Sequence, residues 1–166
     1  MGRSNFRDKG RSVQTIYDEA HVPPGARPRT LLYVEDNPES LKLVALFVTR
    51  RSDIHLLTAV NAKNGLEIAS ASRPEVIVMD INLPDISGFR ALEILRADPN
   101  TAHIPVIALS ANALPLNVES GLEAGFFRYL TKPIQFNEFI ETLDLALAHA
   151  KKRSRQETAK KRGGQT

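Results

Sequence analysis

The sequence predicts an α/β protein built on a doubly wound, five-stranded parallel sheet. Five short apolar runs lie between Leu31 and Leu130, each followed by a stretch whose apolar residues recur at helical spacing. Strands alternating with helices imply parallel strands joined by right-handed crossovers. The first, third and fourth runs are unbroken rather than alternating, most plainly Val76, Ile77, Val78 and Met79, as expected of strands covered by helices on both faces. Five such units in about 120 residues suit the flavodoxin-like version of the fold, with strand order 2-1-3-4-5 and five helices.

The first strand comprises Leu31, Leu32, Tyr33 and Val34 and ends in Glu35 and Asp36. Asn37 suits an N-cap and Pro38 the first helical position. A helix follows to Arg51, with Leu41, Val44, Ala45 and Val48 at helical spacing. Ile54 to Ala59 is a second strand with weaker patterning, and Ala62 to Arg73 a second helix stopped by Pro74. The third strand, from Val76, carries Asp80 at its carboxyl end; Pro84, Asp85, Ser87 and Gly88 then read as loop. A third helix runs from Phe89 to Ala97, with Leu92 and either Leu95 or Ile94 toward the core. Pro105 to Leu109 is the fourth strand, ending at Ser110, and a weaker helix spans Pro115 to Ala124. Phe126 to Leu130 is the fifth strand, followed by Thr131, Lys132 and Pro133. The last helix runs from Phe136 to Ala150, with Phe136, Phe139, Ile140, Leu143 and Leu147 on one face.

The ends differ from this body. Residues 1–29 are polar: Val13, Ile16, Tyr17 and Ala20 could form one short amphipathic stripe, and HVPPGARPR from His21 reads as a linker. Residues 151–166, KKRSRQETAKKRGGQT, are almost free of apolar residues and read as a solvated, disordered tail. The folded domain is thus expected over 30–150. Its nine Lys and Arg against fifteen Asp and Glu make it acidic, whereas the first 29 residues carry net +3 and the last 16 net +6. An acidic body with basic arms is not a basic DNA-binding domain. The tail also has no aromatic residues on which bases could stack. Nucleic acid is therefore not expected as a partner, and a solvated end is favoured over a nucleic-acid contact or a docking segment for an acidic partner.

No cysteine is present, which excludes disulfides and thiolate metal sites and fits a reducing compartment. No apolar run approaches the ~20 residues of a membrane span, and the N-terminus has no apolar core of a secretory signal. A cytoplasmic location without a membrane partner is expected.

In an open α/β sheet, ligands bind beyond the carboxyl ends of the strands. In the expected order, strands one, three, four and five are neighbours, so Glu35, Asp36, Asp80, Ser110 and Lys132 meet in one crevice. Three carboxylates together repel and need a cation. Oxygen-only ligands, with some coordination left to water or phosphate, describe a Mg²⁺ site. A lysine and a hydroxyl alongside can hold the other oxygens of a phosphoryl group. The remaining carboxylate can act as nucleophile and form an aspartyl phosphate.

On VEDNP, VMDINLPDISG, ALSAN and YLTKPI, in this order and each at a strand end, the chain from Thr30 to Ala148 resembles a response-regulator receiver domain of two-component signalling. The resemblance implies that Asp80 is the phosphoacceptor, with Glu35 and Asp36 as the metal-binding acidic pair and the backbone carbonyl of Asn82 as a further ligand. It implies that Ser110 is the switch hydroxyl, Lys132 the cation pairing with the phosphoryl group, and Tyr129 the aromatic that turns inward on phosphorylation. Asn82 and Asn112 resemble the positions that tune dephosphorylation, and the Lys132–Pro133 bond is expected to be cis. A histidine kinase or histidine phosphotransfer domain would donate the phosphoryl group, and a downstream partner would read the phosphorylated face. Enzymatic character would be limited to the domain's own phosphorylation and hydrolysis. VEDNP, GFFRYLTKPI and the Pro-rich lead-in look most like receivers attached to hybrid sensor kinases, although no kinase core or effector domain is recognised in the chain.

Singly, each residue has a plainer explanation: Lys132 as a solvated loop lysine, Ser110 and Asn112 as loop caps, Glu35 and Asp36 as partners of a helix N-terminus, Tyr129 as strand packing. All would have to hold at four strand ends at once. Two rivals differ in kind. An aspartyl-phosphate phosphatase would want a carboxylate two residues after its nucleophile, where Asn82 stands. A receiver-like scaffold that no longer takes phosphate would lack the acceptor, the acidic pair or the lysine. The four histidines, His21, His55, His103 and His149, are scattered and none reads as a ligand; GLEAG lacks the Lys-Ser/Thr of a P-loop. Whether residues 1–29 support a homodimer is left open.

Overall fold

The computed structural model describes residues 27–164 apart from Ala113. The possible helical stripe at Val13–Ala20 and most of the linker lie outside them. The elements are β1 (Arg29–Val34), α1 (Pro38–Thr49), β2 (Ile54–Ala59), α2 (Ala62–Ser72), β3 (Val76–Asp80), α3 (Gly88–Ala97), β4 (Val106–Ser110), α4 (Pro115–Ala124), β5 (Arg128–Thr131) and α5 (Phe136–Gly163). All strands pair in parallel, in the order β2-β1-β3-β4-β5, the predicted flavodoxin-like arrangement.

The unbroken apolar runs follow from two covered faces. Successive side chains of a strand point to opposite sides. Leu31, Tyr33, Val76, Val78, Ile107 and Leu109 pack with Val44 and Val48 of α1 and with Phe139, Leu143 and Leu147 of α5. Leu32, Val34, Ile77, Met79 and Ala108 face Ala62 and Ala69 of α2 and Ala91, Leu92 and Leu95 of α3. Of the two alternatives in the third helix, Leu95 joins Leu92 in the core and Ile94 is exposed. Local signals set the helix starts: Asn37 accepts N–H bonds from Glu39 and Ser40 with Pro38 behind it, and Asn61 and Ser87 cap α2 and α3 in the same manner.

Beside shifts of one or two residues at other element ends, three boundaries differ from the sequence expectation in ways that matter. Arg29 belongs to β1 rather than to the linker: its guanidinium pairs with Glu75 at 2.7 Å and donates to the Leu147 carbonyl of α5. The fifth strand starts at Arg128, and Phe126 instead turns into the core, edge-on to Phe89 at 5.5 Å. The largest difference is at the end, where α5 does not stop at Ala150 but continues as helix to Gly163. Extending an existing helix costs no new nucleation, and Lys, Arg, Gln, Glu and Ala are strong helix formers. No glycine or proline intervenes before Gly163, and Lys160, Lys161 and Arg162 favour the negative end of the helix dipole.

Candidate functional site

The strand-end residues come together because of register. Val34 pairs with Met79, so Glu35 and Asp80, each one residue further on, leave adjacent strands at the same level. Asp80 pairs with Leu109 and Ser110 with Thr131, which sets Ser110 and Lys132 one step further along.

Lys132 Nζ lies 2.6 Å from Asp80 Oδ2 and 2.7 Å from Glu35 Oε2. Both carboxylates are buried, Glu35 at 0% exposure and Asp80 at 4%. Backbone N–H groups hold their other oxygens: Asn37 donates to Glu35 Oε1 at 3.0 Å and Asn82 to Asp80 Oδ1 at 2.7 Å. The Tyr33 hydroxyl adds a bond to Glu35 Oε2 at 3.1 Å. Burial works to lower the Lys132 pKa, but its bonds to Asp80 and Glu35 outweigh this and hold it above the ordinary lysine value. Burial, then the charge of Glu35, pushes the Tyr33 phenol far up, so it remains a donor.

Asp36 is exposed and completes the group: one oxygen each from Glu35, Asp36 and Asp80 lies within 4.8 Å of the others. Against one ammonium, three carboxylates leave two negative charges uncompensated. Two like charges at that separation repel by about 3.5 kcal/mol at an effective dielectric of about 20, and by about 1 kcal/mol in bulk water. Hard oxygen donors with two surplus charges fit a small divalent cation such as Mg²⁺.

Ser110 is buried; its Oγ accepts the Asn112 N–H at 3.1 Å and its carbonyl accepts the Lys132 N–H at 2.8 Å. The Lys132–Pro133 bond is cis, as expected. Asn82 and Asn112 stand exposed on the two loops flanking the crevice. Tyr129 is half-buried on β5. Its hydroxyl donates to the Asn112 carbonyl at 3.2 Å, and its ring lies so close to Gly121 of α4 that an added Cβ would come within 2.7 Å. Ser110 and Tyr129 thus both bond to Asn112.

Gly88 shapes the other side. Its N–H donates to the Ile81 carbonyl at 2.8 Å, and a Cβ here would meet the Asp80 carbonyl oxygen and Ile81 Cα, each at 2.8 Å. Only glycine lets the β3–α3 loop fold back directly behind Asp80. Asp85 pins that loop to α2, accepting from the N–H groups of Ala62 and Lys63 at 2.9 and 2.8 Å. Sequence reasoning missed Tyr33 and Asp85 as supports of the site. Tyr33 carried a signal, since residues two apart on a strand share a face with Glu35 included. The partners of Asp85 are 23 and 22 residues away and left no local trace.

Fold and crevice together define a doubly wound domain that presents a carboxylate cluster, a lysine and a hydroxyl at one end of a parallel sheet. Its sequence matches the response regulator receiver domain family over residues 31–144. The chain belongs to that family: it is a receiver domain, a phosphoacceptor module of two-component signalling rather than an enzyme of the usual kind. Among curated relatives, the polar-differentiation response regulator DivK of Brucella anthropi is 35% identical over 123 residues, covering 74% of this chain and 99% of the relative. The receiver domain of sensor histidine kinase PA1611 of Pseudomonas aeruginosa, solved with a magnesium ion coordinated in its active site cleft, is 30% identical. It superposes with a TM-score of 0.66 over 74% of this chain and 99% of its own. The receiver domain of the Francisella response regulator 1452 is 29% identical, with a TM-score of 0.63 over 72% and 97%. Among the described residues, no helix is long and apolar enough to cross a membrane.

Proposed function

We propose that Asp80 is the phosphoacceptor, and that Glu35, Asp36, Asp80 and the backbone carbonyl of Asn82 hold Mg²⁺. The observation that carries this reading is the pairing of Lys132 with two buried carboxylates beside a third, exposed one. The phosphohistidine of a histidine kinase or histidine phosphotransfer domain is the donor. An Asp80 carboxylate oxygen attacks its phosphorus, the P–O bond forms as the P–N bond breaks, and the electron pair leaves with the imidazole. Bound Mg²⁺ would offset the charge of the phosphoryl oxygens; Lys132 and the Ser110 hydroxyl hold those oxygens from the β4–β5 side. Attack of water on the same phosphorus returns Asp80, with Asn82 and Asn112 at the rim tuning its access.

Ser110 turning toward the phosphoryl group breaks its bond to the Asn112 N–H. Asn112 also receives the Tyr129 hydroxyl, so the change passes to Tyr129, which rotates inward, and to the α4–β5–α5 face read by a downstream partner. The unit that performs this spans 30–150, in the cytoplasm. Likeness to the PA1611 receiver supports attachment to a sensor kinase. Likeness to DivK, matched over 99% of its length, supports a receiver acting without one. Linkage to a kinase core in the surrounding reading frame separates the two.

Labelling with acetyl phosphate and Mg²⁺ tests the assignment. The wild type should gain one phosphoryl group, removable by hydroxylamine as an acyl phosphate. Asp80→Asn should gain none while keeping its circular dichroism spectrum. Undiminished labelling of Asp80→Asn would place the acceptor elsewhere.

A further inference from the structure

The extension of α5 beyond the domain has no role in the crevice. Residues 151–163 are helical and exposed throughout. Thirteen residues at about 1.5 Å each make a rod of about 20 Å. It bears Lys151, Lys152, Arg153, Arg155, Lys160, Lys161 and Arg162 against the single acid Glu157. One face gathers Lys151, Arg155 and Arg162 with the hydroxyl residues Ser154 and Thr158 around Ala159. Among the described residues none of these three cations is in an ion pair. This face has no large apolar side chain, so it offers neither an anchor for a protein groove nor a surface to sink into a bilayer.

We propose that this helix is a docking element for the phosphate backbone of double-stranded nucleic acid. Cations lie around its whole circumference, with the Ser154 hydroxyl between those of one face and the Thr158 hydroxyl donating to the Ser154 carbonyl at 2.9 Å, which complements a partner charged on both sides of the rod. A helix about 10–12 Å across enters the major groove of B-form DNA, which is about 12 Å wide. The expectation against nucleic acid rested on the acidic body and on a disordered tail without aromatic residues for stacking; the body's acidic cluster lies at the other end of the sheet. A helix in a duplex groove needs no aromatic residues, because phosphate contacts supply the affinity. Position favours it too. Arg29, where the chain enters β1, bonds to Glu75 and to the Leu147 carbonyl just before the extension. Arg29 and the start of the basic helix therefore lie at the amino ends of the strands, the end of the sheet opposite Asp80 and away from its acidic cluster. Phosphotransfer and duplex binding can occupy the molecule together.

The test is fluorescence anisotropy of the full chain with a labelled duplex DNA of about three helical turns. Contacts to about five phosphates give a slope of log K against log salt near −4.5, an affinity loss of about 500-fold between 50 and 200 mM salt. The triple variant Lys151→Gln, Arg155→Gln, Arg162→Gln keeps strong helix formers and leaves the N-terminal arm untouched. It should retain its helical dichroism, bind at least tenfold more weakly at 100 mM salt, and show a slope near −1.8, about two contacts remaining. Equal binding by the triple variant and wild type would overturn the proposal. So would tighter binding to the single strand than to the duplex, or absence of duplex binding at 50 mM salt. Binding to vesicles containing anionic lipid but not to DNA would also overturn it and assign the helix to a membrane surface.

Discussion

Replacing Asp36 by Asn probes the carboxylate cluster with two readouts of independent origin. Without metal, the substitution removes one of three negative charges whose oxygens lie within 4.8 Å of one another. Asp36 is exposed, so the relieved repulsion sits near the water limit, about 1 kcal/mol for each of two neighbours. The metal-free variant should therefore be about 1–2 kcal/mol more stable than the parent. With Mg²⁺ at a hundred times its dissociation constant the parent gains about 2.7 kcal/mol. A site weakened about 30-fold, within the range that loss of even an outer partner produces, gains only about 0.9 kcal/mol at the same concentration. Urea unfolding followed by circular dichroism, at fixed ionic strength with and without Mg²⁺, measures both quantities. An equal Mg²⁺ increment in the two proteins would remove Asp36 from the metal site. A metal-free variant less stable than the parent would show that Asp36 is held by attraction, and the account of surplus charge would fail.

Lys132→Met leaves Glu35 and Asp80 buried without their cation; because the lysine is 23% exposed, the loss should be about 2–3 kcal/mol rather than the 3–5 of a fully buried pair, measured by urea unfolding and partly restored by Mg²⁺. Gly88→Ala forces a Cβ to 2.8 Å from the Asp80 carbonyl oxygen and Ile81 Cα. It should cost about 1–3 kcal/mol and slow acetyl-phosphate labelling, and an unchanged labelling rate would show that the loop need not sit this close. Asp53 is held below its ordinary value of 3.8, first by its hydrogen bonds to Arg51. A carboxylate depressed in the folded state stabilises above that value, and the contribution is lost as pH falls through the folded one. Asp53→Asn should accordingly flatten the acid limb of the stability curve below about pH 4, and should lower stability at neutral pH, where the parent's carboxylate is charged.

The amino-acid sequence determines a great deal here because most of the fold is specified locally. The runs at Leu31 and Val76 are apolar without interruption since both sheet faces are covered, and Asn37-Pro38, Asn61 and Ser87 start helices within one turn of themselves. Alternation of the elements implies the parallel order, and that order delivers Glu35, Asp80, Ser110 and Lys132 to the carboxyl end of the sheet. What the tertiary structure alone decided depends on residues far apart in the chain. The sharing of Lys132 between Asp80 and Glu35 spans 52 and 97 positions. Asp85 clamps α2, Gly88 packs against the backbone of Asp80, and Arg29 reaches the Leu147 carbonyl, contacts that no local pattern encodes. The length of α5 was legible in composition only as a charged tail. Whether such a segment is coil or helix turns on its continuity with an apolar stripe, Phe139 through Leu147, that packing against the sheet has already fixed as helix.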